Sequence, residues 1–217
     1  PRGSEARSPA RGAAVGWNMG KACRTGHAPR RLRPGAVGFL VPGELEPALG
    51  LRAMPVLTVK VENHEVPEAD VIAQGHGAFS FYRSLLSGLC MVTAAASCGL
   101  MDGVLKRALK YAAERYQGGK MIIDHSHVRN ILGRMRAEAV TGWGAVSHHS
   151  AQGPDHVAAL GIKVSVTESA VKVCTDAVQI LGGYGYMRDY GLEKAMRDAA
   201  MLSLLPISNA RAELLVT

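Results

Sequence analysis

The 217 residues hold no Cys-x-x-Cys pair, no P-loop, no Ser/His/Asp arrangement and no basic stripe interleaved with aromatics. Those absences take away the common zinc and dithiol patterns, phosphate-loop nucleotide chemistry, triad catalysis and single-strand nucleic-acid binding. Cys23, Cys90, Cys98 and Cys174 stand apart from one another, three of them in apolar stretches of helical character. Buried, reduced thiols in a cytoplasmic protein are therefore expected. The apolar core of a secretory signal is missing as well.

Charge of one sign is missing from most of the chain. Of 25 Lys plus Arg and 18 Asp plus Glu, residues 1–34 hold eight and one, leaving 17 of each for residues 35–217. The net charge of +7 is thus a property of the first 34 residues. The remainder has no net field to attract nucleic acid. Residues 1–34 are rich in Gly, Pro, Ser and Arg without apolar periodicity, and are expected to form a disordered basic tail. Binding to an acidic surface and a targeting role both stay open for them. One long uncharged run exists, the 18 residues from Ser84 to Met101, at the lower edge of a membrane span. Ser84, Ser87, Gly88, Thr93, Ser97 and Gly99 dilute it, and charged amphipathic sequence follows without a break. A helix buried centrally in a bundle is expected, and no membrane span.

What is present falls into two styles. Residues 36–41 and 56–62 are short, apolar and β-branched, followed by Pro42-Gly43 and by Asn63 with Pro67. They read as two strands with turn chemistry. After Gly77 the pattern is helical throughout. Met101, Val104, Leu105, Ala108, Tyr111 and Ala112 recur at three- and four-residue steps, and Gln117-Gly118-Gly119 reads as the end of that helix. A second helix is expected from Asp124 as N-cap, with Val128, Ile131, Leu132, Met135 and Ala139 on one face. Gln152-Gly153-Pro154-Asp155 breaks the chain. A third helix carries Ala170, Val171, Cys174, Ala177, Val178 and Leu181 and ends at Gly182-Gly183. A shorter helix from Gly191 to Leu204 and a last segment from Pro206 complete an antiparallel four-helix bundle. The expected divisions are 1–34, 35–74 and 75–217.

His125 and His127 flank a helix start and point apart, and with His148, His149 and His156 they are expected at the surface or as caps, with no metal site. Met91, Met101, Met121, Met135, Met196 and Met201 are expected as core filler.

Gln179-Ile180-Leu181-Gly182-Gly183-Tyr184-Gly185-Tyr186, followed by Glu193 and then Met196-Arg197-Asp198, resembles the C-terminal helical domain of the acyl-CoA dehydrogenases. Glu114-Arg115-Tyr116-Gln117-Gly118-Gly119-Lys120 is similar to that family's Arg-x-x-Phe-Gly turn, with Gly118 in place of the aromatic. The likeness runs from about Gly35 to Leu205 and takes in Leu51-Arg52-Ala53-Met54-Pro55 and Val66-Pro67 as a remnant of the middle β-domain. It implies FAD as cofactor, an acyl-CoA thioester as substrate, and an oligomer. By resemblance, Arg115 and Gln117 reach the FAD diphosphate of a neighbouring subunit. Gln179, Gly182 and Gly183 approach its adenosine and diphosphate. Arg115 also suits a second role, complementing a helix C-terminus, and glycines also simply end helices.

The same resemblance marks departures. The family's glutamate base would fall at Pro206. The alternative position on the first long helix is Leu89, followed by Cys90 where the family usually has arginine. The amino-terminal helical domain and most of the β-domain have no counterpart here. Two functions follow as expectations. One is an FAD-dependent acyl-CoA dehydrogenase, present as a fragment or subunit with relocated catalytic residues and expected to be inactive by itself. The other is a catalytically silent module that assembles with itself or with a complete homologue.

Overall fold

The computed structural model describes residues 39–54, 56–62 and 66–216, so the expected basic tail and Cys23 lie outside the described residues. The chain divides into two compact units between Gln74 and Gly75, each described by itself.

In the first unit, β1 (Phe39–Leu45) and β2 (Leu57–Glu62) pair antiparallel, Phe39 opposite Glu62 and Val41 opposite Lys60. The strand expected to end before Pro42-Gly43 runs through both residues instead, and its register shifts between Pro42 and Leu45. Proline has no N–H to give a ladder and glycine no side chain to pack, so a local irregularity accommodates them at least cost. Residues 36–38 and Asn63 fall outside the described residues. Beyond the pair, Glu46 N–H donates to Val56 O at 2.9 Å and Thr58 Oγ1 donates to Glu46 Oε1 at 2.8 Å.

The second unit is helical. α1 (Gly75–Glu114), α2 (Ser126–Gln152) and α3 (His156–Leu181) are long, α4 (Gly183–Tyr186) is a single turn, and α5 (Leu192–Leu202) and α6 (Asn209–Val216) complete it. The mainly α bundle is the expected architecture, with α6 where only a last segment was read. Side-chain pairs fix the directions. Arg134 meets Asp176 and Glu138 meets Lys172, so α2 and α3 are antiparallel. Trp143 Nε1 donates to Asp102 Oδ2 at 2.7 Å across the antiparallel α1 and α2. Ser87 bonds His156 near the starts of α1 and α3, and Tyr111 near the end of α1 meets Tyr184 just beyond the end of α3, so those two run parallel.

The core follows the three- and four-residue steps. Ala94, Cys98, Met101, Leu105, Ala108 and Ala112 of α1 pack with Ile131, Leu132, Met135 and Ala139 of α2 and Ala170, Val173, Cys174 and Ala177 of α3. Each large apolar side chain sealed this way contributes ~1.5–3 kcal/mol. Buried hydroxyls are satisfied within their own helices: Thr93, Ser97 and Thr167 each donate to the carbonyl four residues back at 2.9 Å. Met101 and Met135 are sealed in the core as expected, whereas Met121 is exposed on the turn after α1.

Three expectations need correction here. The run from Ser84 to Met101 is not buried all round. Cys90, Ala94, Ser97, Cys98 and Met101 are sealed, while Leu85, Leu89 and Val92 are 49%, 44% and 67% exposed. By length and composition α1 is apolar enough to cross a membrane, but its sealed face packs against the other helices of the bundle. Secondly, Asp124 is not the cap of α2. It closes a 3-10 turn, Ile122–Asp124, and His125 takes the cap position without a side-chain cap bond. The true side-chain cap is Asp155, whose Oδ1 accepts from the N–H groups of Val157 and Ala158 at 3.0 and 3.2 Å and starts α3. Thirdly, His149 is buried, not on the surface.

Candidate functional site

α1 stops at Glu114 because the residues after it pair with one another. β3 (Tyr116–Gln117) and β4 (Lys120–Met121) form a minimal hairpin. Gly118 and Gly119 have φ of 67° and 84°, the pair of positive values that a two-residue turn of type I′ demands. The glycines read as a helix end thus make a hairpin. Arg115 sits at its root. Its N–H donates to Tyr111 O at 2.9 Å and its carbonyl accepts from Ile122 N–H at 2.8 Å, so its backbone is held from both sides. Gln117 O accepts from His125 Nε2 at 2.9 Å.

The second predicted segment closes α3. Gly182 has φ 59° and ψ −134°, and its N–H donates to Gln179 O at 3.1 Å. Glycine serves two different purposes just beyond. A Cβ at Gly185 would stand 2.5 Å from Val178 O, so packing demands that glycine. At Gly183 the φ is not positive and a Cβ would meet nothing within 4 Å. Gly183 is required by neither backbone nor packing, and its main chain lies open.

These two segments meet at one end of the bundle. The Arg115 guanidinium lies over the Tyr184 ring, 5.5 Å from its centroid. Tyr184 in turn stands 6.4 Å from Tyr111 and 5.7 Å from Tyr190, and Tyr111 meets Tyr190 edge-on at 5.9 Å. The Arg115 donors make no hydrogen bond or ion pair with a described residue, whereas Arg134 spends its fork on the Asp176 carboxylate at 3.0–3.3 Å. Gln117 and Gln179 are exposed, their side-chain amides make no hydrogen bond with a described residue, and no bond joins them to each other or to the glycines. The set is a permanent cation, two amides and an open glycine backbone. Such donors fit a dinucleotide diphosphate, whose oxygens accept from guanidinium and amide. They offer no apolar slot for a flat ring system.

The positions where a base was sought contain none. Leu89 lies on the exposed face of α1 and Pro206 is part-buried in the turn between α5 and α6. Glu193, in the first turn of α5, is 9% exposed. Its Oε1 accepts from Arg197 at 3.4 Å and its Oε2 has no hydrogen-bond partner among the described residues. Burial pushes the Cys98 thiol up to about 11 and the Cys174 thiol up to about 12, with Asp102 and Asp198 adding to the respective shifts. Among the described residues no three His, Cys, Asp or Glu side chains converge as metal ligands.

Sequence reasoning missed Lys163. It is fully buried in α3, and its Nζ donates to Ser203 O at 2.9 Å, Ile207 O at 2.6 Å and Asn209 Oδ1 at 2.6 Å. Desolvation holds its pKa below the ordinary 10.5. The signal was available: helical steps put residue 163 on the face of Ala159, Val166 and Ala170, where a lysine is out of pattern. Its ammonium anchors the turn that contains Pro206.

Residues 79–205 match the sequence pattern of the acyl-CoA dehydrogenase C-terminal domain. Among curated proteins, the chain is 32% identical over 187 residues to an acyl-CoA dehydrogenase of Bacillus subtilis, a match covering 83% of this chain and 48% of that one. It is 30% identical over 202 residues to 3-sulfinopropanoyl-CoA desulfinase of Paraburkholderia xenovorans, covering 84% and 50%. The butyryl-CoA dehydrogenase structure from Megasphaera elsdenii superposes with a TM-score of 0.76 at 24% identity, over 85% of this chain and 49% of that one, and so shares its fold. The chain spans about half the length of the curated relatives it matches.

Proposed function

This chain belongs to the acyl-CoA dehydrogenase family through that family's C-terminal domain, and on that premise we propose that its bundle supplies the diphosphate side of an FAD site shared between subunits. The observation that carries the reading is the meeting of Arg115 with the turn after Gly182-Gly183, through the Tyr184 ring. FAD, when bound, supplies the hydride acceptor for α,β-desaturation of an acyl-CoA thioester. Arg115 donates to phosphate oxygens, the Gln117 and Gln179 amides donate beside it, and Gly182 and Gly183 admit close main-chain approach. The base, the substrate pocket and the cover over the flavin ring come from outside these residues, supplied by a complete homologue in the cytoplasm. The empty positions Pro206 and Leu89 favour a second reading, a silent assembly module that completes the cofactor site of an active partner.

The test is direct. The purified chain is expected to be colourless, because a site that holds only one end of FAD binds it weakly. FAD titration nevertheless saturates, and Arg115→Ala lowers the affinity about tenfold through loss of charge-assisted bonds. Affinity indifferent to that substitution overturns the assignment of the site. General-base assistance is worth ~10²–10⁴ in rate, and with no base at Leu89 or Pro206 the chain alone gives no acyl-CoA desaturation with added FAD. Turnover above background overturns the silent reading.

A further inference from the structure

We infer that Tyr184 is a positioning residue that presets the Arg115 guanidinium for an anionic diphosphate, an inference that rests on the reading just given. An exposed arginine side chain has four rotatable bonds and samples many directions, so binding an anion through it ordinarily includes the cost of ordering it. Here the order exists beforehand. The guanidinium carbon lies over the Tyr184 ring, 5.5 Å from its centroid, a distance at which the negative π-face attracts a cation. Attraction to a π-face requires no oxygen acceptor. None of its five N–H groups is spent on a described residue, so the whole fork stays available to phosphate oxygens.

The platform is itself held. Tyr184 is 47% exposed, so one side faces solvent and the arginine. Elsewhere it lies against Tyr111 at 6.4 Å and Tyr190 at 5.7 Å. Tyr111 sits one helical turn before Arg115, and its carbonyl accepts the Arg115 N–H at 2.9 Å. Cation and platform are thereby referred to the same residue. Gly185 fixes the ring's backbone, because the turn that carries Tyr184 closes to within Cβ-excluding distance of Val178. The arrangement also explains how two segments far apart in sequence act on one ligand: Tyr184 directly follows the open Gly183 backbone and touches the arginine of the hairpin root.

The experiment is FAD titration of the full chain, followed by flavin fluorescence, in a set of variants. Tyr184→Leu removes the π-face and lowers affinity roughly two- to five-fold. Tyr184→Phe keeps the face and leaves affinity at the wild-type value. In an Arg115→Ala background, Tyr184→Leu has no further effect, because nothing remains to be positioned. Tyr184→Met serves in place of Leu should circular dichroism show that the Leu variant is unfolded. Additive losses in the double variant, or equal losses from Phe and Leu, overturn the positioning role while leaving the Arg115 site standing. If Arg115→Ala itself leaves affinity unchanged, the site reading fails and the positioning role fails with it.

Discussion

Lys163 gathers Ser203 O, Ile207 O and Asn209 Oδ1 around one ammonium in a place without water access. Lys163→Met keeps most of the volume and removes all three donors, leaving buried acceptors unmatched. Urea unfolding is expected to show a loss of about 1–3 kcal/mol, with α6 the first element to lose protection from amide exchange. The two glycines after α3 separate packing from function at the same scale. Gly185→Ala drives a methyl into Val178 O and costs about 1–3 kcal/mol. Gly183→Ala meets open space and changes stability by less than ~0.5 kcal/mol, yet it weakens FAD binding if the ligand approaches that backbone. Thermal melts and FAD titration of the two variants check the distinction, and a destabilised Gly183→Ala would contradict it.

Between α2 and α3 the contacts come in register. Arg134–Asp176 and Glu138–Lys172 form two antiparallel rungs, and Ser169 Oγ adds a donor to Glu138 Oε2 at 2.7 Å. Hydrogen bonds from Lys172 and Ser169 hold the Glu138 carboxyl below its ordinary 4.5. A depressed carboxylate contributes stability that is complete above about 4.5 and is lost as pH falls through the lower folded-state value. Glu138→Gln is therefore expected to cost ~0.2–1 kcal/mol near neutrality and progressively less in acid. Melting temperatures of both proteins across pH 2–7 test this, and a constant difference would contradict it. Elements of this kind were legible wherever one face is apolar. The Ile131-Leu132-Met135-Ala139 stripe and the Gly153-Pro154 break state α2 and α3 outright. The end of α1 was not legible, because a Gly-Gly pair serves a helix end and a hairpin turn equally well. What decides is Ile122 N–H bonding back to Arg115 O, a contact that no local pattern announces.

For the molecule as a whole, the family and the bundle were readable from the Gly182-Gly183 and Met196-Arg197-Asp198 segments. The site was readable only as a list of residues. Its geometry depends on Tyr184 lying under Arg115, a pairing across nearly seventy residues of sequence. Sidedness was misread for a related reason: composition shows that α1 is apolar, not which of its faces the other helices leave open. That face exposes Leu85, Leu89 and Val92 at three- and four-residue steps on α1, and exposed apolar faces of this kind mark interaction sites. Light scattering at micromolar concentration is expected to give at least a dimer, and the double variant Leu85→Glu, Val92→Glu a smaller species with unchanged helix content. A wild-type monomer would contradict this.

The indole of Trp143 carries one more consequence. Its N–H is bonded to the Asp102 carboxylate across α1 and α2, and the sequence has just two tryptophans, at positions 17 and 143. With Trp17→Phe, ultraviolet emission from the protein would come from a single fluorophore seated between two helices. Its wavelength and lifetime would then follow the separation of those helices in real time, giving an optical record of bundle opening without any added dye.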